Sequence, residues 1–177
     1  MMSNLVLSTY IVFFAYQALG FSLTLVGLLL VVSETAGSVG RIVWGLISDR
    51  WGGRRLAVLL IIALGTLICS LLASLWQPDW SFAWLVVLVA VFGFCICDFN
   101  GIWMNAATES VPERQAGLAS GFSVSLGSWG VVLGPPLFGW VVDLTSGYTV
   151  AWLLLAGVMV GVIAMLLIVM RIPEHKN

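Results

Sequence analysis

Charge is the scarcest property of this chain. Asp, Glu, Lys and Arg make up 8% of its 177 residues, against about a quarter in a soluble globular domain. A water-soluble fold could not build a polar exterior from so small a stock. The few charges show no basic excess. Net charge is −1, which excludes the electrostatic footprint of a nucleic-acid binder. Histidine occurs once, as His175 in a polar tail. A serine or cysteine nucleophile in the apolar body therefore has no histidine base. There is no H-E-x-x-H and no phosphate-binding glycine loop before a lysine. The chain is not expected to be an enzyme, and no cofactor or metal is expected.

Cysteine is also sparse. Cys69, Cys95 and Cys97 all fall inside apolar runs. Cys95 and Cys97 point in different directions on a helix. All three read as small packing residues rather than metal ligands or a disulfide. Lys and Arg are absent from the first twenty residues, and no A-x-A site follows the first apolar run. No secretory signal is expected.

Apolar residues fill the space that charge leaves. They make up 61% of the chain, and the mean hydropathy is +1.11. A spanning helix needs about 20 mostly apolar residues. Residues 23–47, 56–76, 82–106, 116–142 and 150–170 meet that length, and 5–19 falls slightly short. An open sheet would leave backbone groups unpaired in lipid. The runs are also too long and too uniformly apolar for barrel strands. The expected fold class is an all-α membrane protein with a single transmembrane domain over 1–177 and six spans.

Orientation follows from the basic residues. Arg50, Arg54 and Arg55 share one loop, Arg114 lies in another, and Arg171 and Lys176 lie in the tail. Six threaded spans put all three regions on one side, which is then cytoplasmic, with both termini. The opposite loops hold only Asp79 and Asp143, with Trp76, Trp80 and Tyr148 as interfacial aromatics. The expected location is a bacterial inner (cell) membrane.

The most informative loop reads Gly45-Leu46-Ile47-Ser48-Asp49-Arg50-Trp51-Gly52-Gly53-Arg54-Arg55. It fits an ordinary positive-inside loop with a glycine turn. It also fits a charged latch, in which Asp49 pairs with an arginine or a helix amino terminus of a neighbouring bundle until the bundles rock.

Here the sequence resembles a known family. The pattern G-x-x-x-D-R-x-G-x-R-R is similar to the signature loop of the major facilitator superfamily. In that family it lies between the second and third helices, and recurs in weaker form between the eighth and ninth. Gly40-Arg41-Ile42-Val43-Trp44-Gly45 resembles the eighth-helix version. Val111-Pro112-Glu113-Arg114-Gln115-Ala116-Gly117-Leu118-Ala119-Ser120-Gly121 is similar to the loop entering the eleventh helix. Gly127-Ser128-Trp129-Gly130-Val131-Val132-Leu133-Gly134-Pro135-Pro136-Leu137-Phe138-Gly139, followed by Asp143, is similar to that helix itself. The resemblance covers essentially the whole chain, aligned to helices seven through twelve.

The resemblance implies an MFS-type six-helix bundle, half of a twelve-helix transporter, with its first helix truncated. It implies secondary active transport of a small solute by alternating access. The partners are the lipid bilayer, the solute and a second six-helix bundle, either a missing amino-terminal half or another copy. The chain then fits a fragment, one subunit of a split transporter, or a homodimer. The alternative is a non-transporting membrane scaffold or a vestigial fragment. In the transport reading Gly45, Asp49, Arg50, Gly52, Arg54 and Arg55 form a gating loop.

Ionisable residues inside spans are costly and read as functional by default. Glu34 and Arg41 lie two turns apart on one face of the second span. They either neutralise each other or neighbouring helices, or serve substrate and proton coupling. Asp98, sharing its face with Asn105, is a second candidate for coupling or substrate contact, against a structural hydrogen bond. A lone intramembrane arginine fits an organic anion; Asp98 fits protons. On the fifth span Gly117, Ser120, Ser123, Gly127, Gly130 and Gly134 step by three or four. Such a face admits close helix approach, and Pro135 and Pro136 predict a kink.

Overall fold

The fold was described from a computed structural model, which describes residues 10–11, 13–51, 54–77, 80–96, 99–109, 111–145 and 147–171. The first described residues, from Tyr10, are helical and widen into a π-turn over Phe14–Ala18. Gly20 then reverses the chain at φ +70°, a conformation that costs a glycine little because it has no Cβ. Six α-helices follow: α1 (Leu23–Arg50), α2 (Arg55–Ser74), α3 (Phe82–Ile96), α4 (Phe99–Glu109), α5 (Ala116–Thr145) and α6 (Tyr148–Arg171). A 3₁₀ turn, Glu113–Gln115, leads into α5. No strand occurs among the described residues.

Four stretches are long and apolar enough to cross a membrane: α1, α2, the Glu113–Thr145 segment containing α5, and α6. At 1.5 Å per residue, the 28 residues of α1 reach about 42 Å, beyond the hydrocarbon core of about 30 Å. α3 is a shorter apolar helix. The stretch expected as one span over 82–106 therefore carries two described helices, α3 and α4. Most of the first expected span, 5–19, lies outside the described residues. The all-α membrane class read from composition is the class observed.

Polarity inside and outside confirms the solvent. Leu118, Phe122, Trp129, Val132 and Trp140 on α5 are exposed, as are Met165 and Ile168 on α6. In water such a surface would aggregate; in lipid it is the outside. Burial of apolar side chains between helices then gains little, because lipid tails are equally apolar. Close packing and hydrogen bonds have to hold the bundle.

The tightest packing lies between α1 and α3. Ser33, Gly37, Gly40 and Trp44 repeat at helical spacing along the buried face of α1. A methyl group added to Gly40 would run into the Phe94 carbonyl, and one on Gly93 would come within 2.5 Å of the Ser33 carbonyl oxygen. Only small residues let the backbones meet this closely. Trp44 Nε1 donates to the Phe94 carbonyl at 3.0 Å, which ties the same crossing. α2 runs along α6 and also touches α3 and α4, while α5 packs on α4 and α6.

Two apolar clusters result. One gathers Phe14, Phe92, Phe138 and Trp152 at the end where the residues around Tyr10 meet the start of α6. The other gathers Trp44, Val58, Leu59, Ile62 and Leu166 at the arginine-bearing end.

Candidate gating and solute site

The loop expected to gate begins where α1 ends. Arg50 closes the helix, and Arg55 opens α2 after a short excursion. Asp49, Arg50 and Arg54 are exposed there, and Gly45 is half-buried one turn back. Gly52 lies outside the described residues. Arg55 reaches away from its own loop: its Nε and Nη2 donate to the two carboxylate oxygens of Glu109 at the end of α4. This fork-to-fork geometry is the strongest an arginine makes with a carboxylate. Asp49 lies close enough to Arg55 for an electrostatic interaction. The hydrogen bonds from Arg55 hold the Glu109 carboxyl below its ordinary value.

Sequence reading named Asp49 as the acid of this loop and passed over Glu109. The signal was present. Threading put the 48–55 loop and the 108–115 loop on one side, with opposite charges facing across it. Ser48, next to Asp49, adds a second feature. Its hydroxyl is buried with no hydrogen-bond partner among the described residues.

The intramembrane charges occupy a different surface. Glu34 and Arg41 are both exposed on α1, with Ser38 between them. Ser38 Oγ donates to the Glu34 carbonyl at 2.8 Å. Glu34, Ser38, Arg41 and Gly45 follow at four, three and four residues, so they form one flank beside the buried Ser33–Gly37–Gly40 face. The exposed side of α1 across from the buried face is apolar, with Leu28, Val39 and Leu46, about a quarter-turn from the polar flank. Asn105 is exposed on α4, and its carbonyl accepts from Thr108 Oγ1 at 3.0 Å. Asp98 lies outside the described residues.

On α5 the small-residue face is buried only toward its carboxy-terminal end, and Gly117 is exposed. Gly127 and Gly130 are half-buried, and Gly134 is buried together with Phe138. Pro135 is half-buried, and its carbonyl accepts a hydrogen bond from the Tyr10 hydroxyl at 2.5 Å. Tyr10 escaped notice in the sequence. A lone tyrosine in an apolar run carries a polar handle that needs a partner, which was the available clue.

This is a helical membrane bundle with a charged loop at one end and a polar flank on one helix. The sequence signature described as Major Facilitator Superfamily matches residues 1–177, and the chain belongs to that family. It is a multi-pass membrane protein. An "Uncharacterized MFS-type transporter" of Mycobacterium tuberculosis is 30% identical over 154 residues, covering 87% of this chain and 34% of the relative. "Multidrug resistance protein 3" of Bacillus subtilis is 29% identical over 138 residues, 77% of this chain and 26% of the relative. "Probable galactarate/D-glucarate transporter GudP" of the same bacterium is 26% identical over 145 residues, 79% of this chain and 31% of the relative. The chain thus spans about a third of the length of the curated relatives it matches.

Proposed function

We propose that this chain is one helical bundle of a secondary transporter, working by alternating access beside a second six-helix bundle. The observation that carries the reading is the polar flank of α1. Glu34, Ser38 and Arg41 are exposed in this bundle. Charges facing hydrocarbon are costly, and in membrane proteins they face a bundle interior or a water-filled cavity. A second bundle across the flank supplies both. The solute binds between the bundles, and rocking exposes it to each side in turn.

Arg41 suits an organic anion, whose carboxylate a guanidinium grips in two places. The relative named for galactarate and D-glucarate supports that class. Glu34 and Asp98 are the proton-coupling candidates. The arginine-bearing ends lie in the cytoplasm of a bacterial inner membrane, following the positive-inside rule. The Arg55–Glu109 pair and the exposed Asp49, Arg50 and Arg54 bias the two access states. Neutralising Asp49 slows turnover more than it weakens solute binding.

The test is co-reconstitution of the chain with candidate partner bundles in liposomes, followed by organic-anion uptake under an imposed proton gradient. Uptake that Arg41→Gln abolishes and Arg41→Lys partly restores supports the reading. Uptake indifferent to both variants removes the anion site. Absence of uptake with every partner favours a scaffold.

A further inference from the structure

We propose that the Tyr10 hydroxyl is a clasp on a proline hinge in α5. It ties the part of α5 beyond Pro136 to the helical stretch at Tyr10, so that the two move as one body. The clasp is a property of this bundle alone and stands apart from the transport reading.

Pro135 and Pro136 both lie inside α5. Neither has an N–H, so the carbonyls of Val131 and Val132 lose their donors four residues on. α5 nevertheless continues to Thr145. Tyr10 engages α5 on the carboxy-terminal side of that gap. Its hydroxyl donates to the Pro135 carbonyl, the oxygen that the Gly139 N–H would take in an undisturbed helix. Its ring stacks against Phe138, with centroids 4.4 Å apart and planes at 40°. A methyl group on Gly139 would meet the same hydroxyl at 2.5 Å. One side chain therefore engages residues 135, 138 and 139, one turn of α5 just past the hinge.

The helix that carries Tyr10 is also weakened. The π-turn over Phe14–Ala18 follows within one turn, and single π-turns interrupt the regular ladder. Each partner thus has a defect of its own, and the Tyr10 bond joins them. With the bond made, the hinge is closed. Without it, α5 beyond the prolines swings independently of its first half.

Amide hydrogen exchange on the full 177-residue chain in lipid nanodiscs tests this. Tyr10→Phe keeps the ring and its stacking and removes only the hydroxyl. Exchange over residues 137–145 should rise about five-fold, the equivalent of one net hydrogen bond, while residues 117–130 keep their wild-type rate. Equal rates in both segments, or the same acceleration in both, overturn the clasp. Gly139→Ala is the second variant and decides if the first does not fold. Alanine is a better helix former than glycine, so simple propensity predicts slower exchange. Displacement of the Tyr10 hydroxyl predicts faster exchange over 137–145, and slower exchange there overturns the proposal.

Discussion

Arg55 and Glu109, 54 positions apart in the chain, join the first turn of α2 to the last turn of α4 through two parallel hydrogen bonds. The pair links the loop between α1 and α2 to the end of α4 that leads into α5. Glu109 is well exposed, at 56%, and Arg55 largely covered, at 16%. Water screens such a pair, so its static worth is small.

A double-mutant cycle of Arg55→Ala and Glu109→Ala should give a coupling of about 0.5 kcal/mol in detergent unfolding at neutral pH. The pH dependence has a definite sign. The folded Glu109 carboxyl sits below its ordinary value of 4.5. Its contribution is therefore complete above that value and disappears as the pH falls through the lower, folded one. The cycle repeated across this range checks it. A coupling that grows in acid contradicts the pair.

The α1–α3 crossing makes a sharper stability prediction. Gly40→Ala and Gly93→Ala each force a methyl group into an opposing backbone, where nothing flexible can yield. Each should destabilise the chain by about 1–3 kcal/mol. Gly27→Ala and Gly121→Ala meet no atom within 4 Å and should unfold at or above the wild-type temperature. Thermal unfolding in one detergent compares all four.

Ser48 predicts an unusual direction. Its buried hydroxyl lacks a partner among the described residues, and a buried orphan costs about 1–3 kcal/mol. Ser48→Ala should leave stability unchanged or raise it by about 1 kcal/mol. A loss of similar size in the same unfolding assay would show that the hydroxyl is bonded.

The class of the fold was legible because lipid imposes a simple rule. A helix that crosses must be long and apolar, and composition alone reveals that. The glycine spacing on α5 and the seven-residue step from Glu34 to Arg41 were legible because helical period turns sequence into faces. Glu109 was not, since its pairing with Arg55 depends on where two helix ends meet. The Ser33–Gly37–Gly40 crossing was missed for a related reason. Attention went to the glycines of α5, whereas the closest backbone approach depends on the partner, Gly93, on another helix. Tyr10 and the π-turn after it left no periodic trace. Asp98 and Gly52 carried weight in the sequence and lie outside the described residues.

The central claim is that the polar flank of α1 lines a watery path between two bundles while the apolar side a quarter-turn away faces lipid. Thiol labelling in a cysteine-free background, with the chain co-assembled with its partner bundle in membranes, tests it directly. A small water-soluble maleimide should modify Ser38→Cys and Gly45→Cys, and bound solute should slow that modification. Val39→Cys and Leu46→Cys should stay unmodified. Equal labelling of the two sides, or labelling of 39 and 46 alone, would contradict the account.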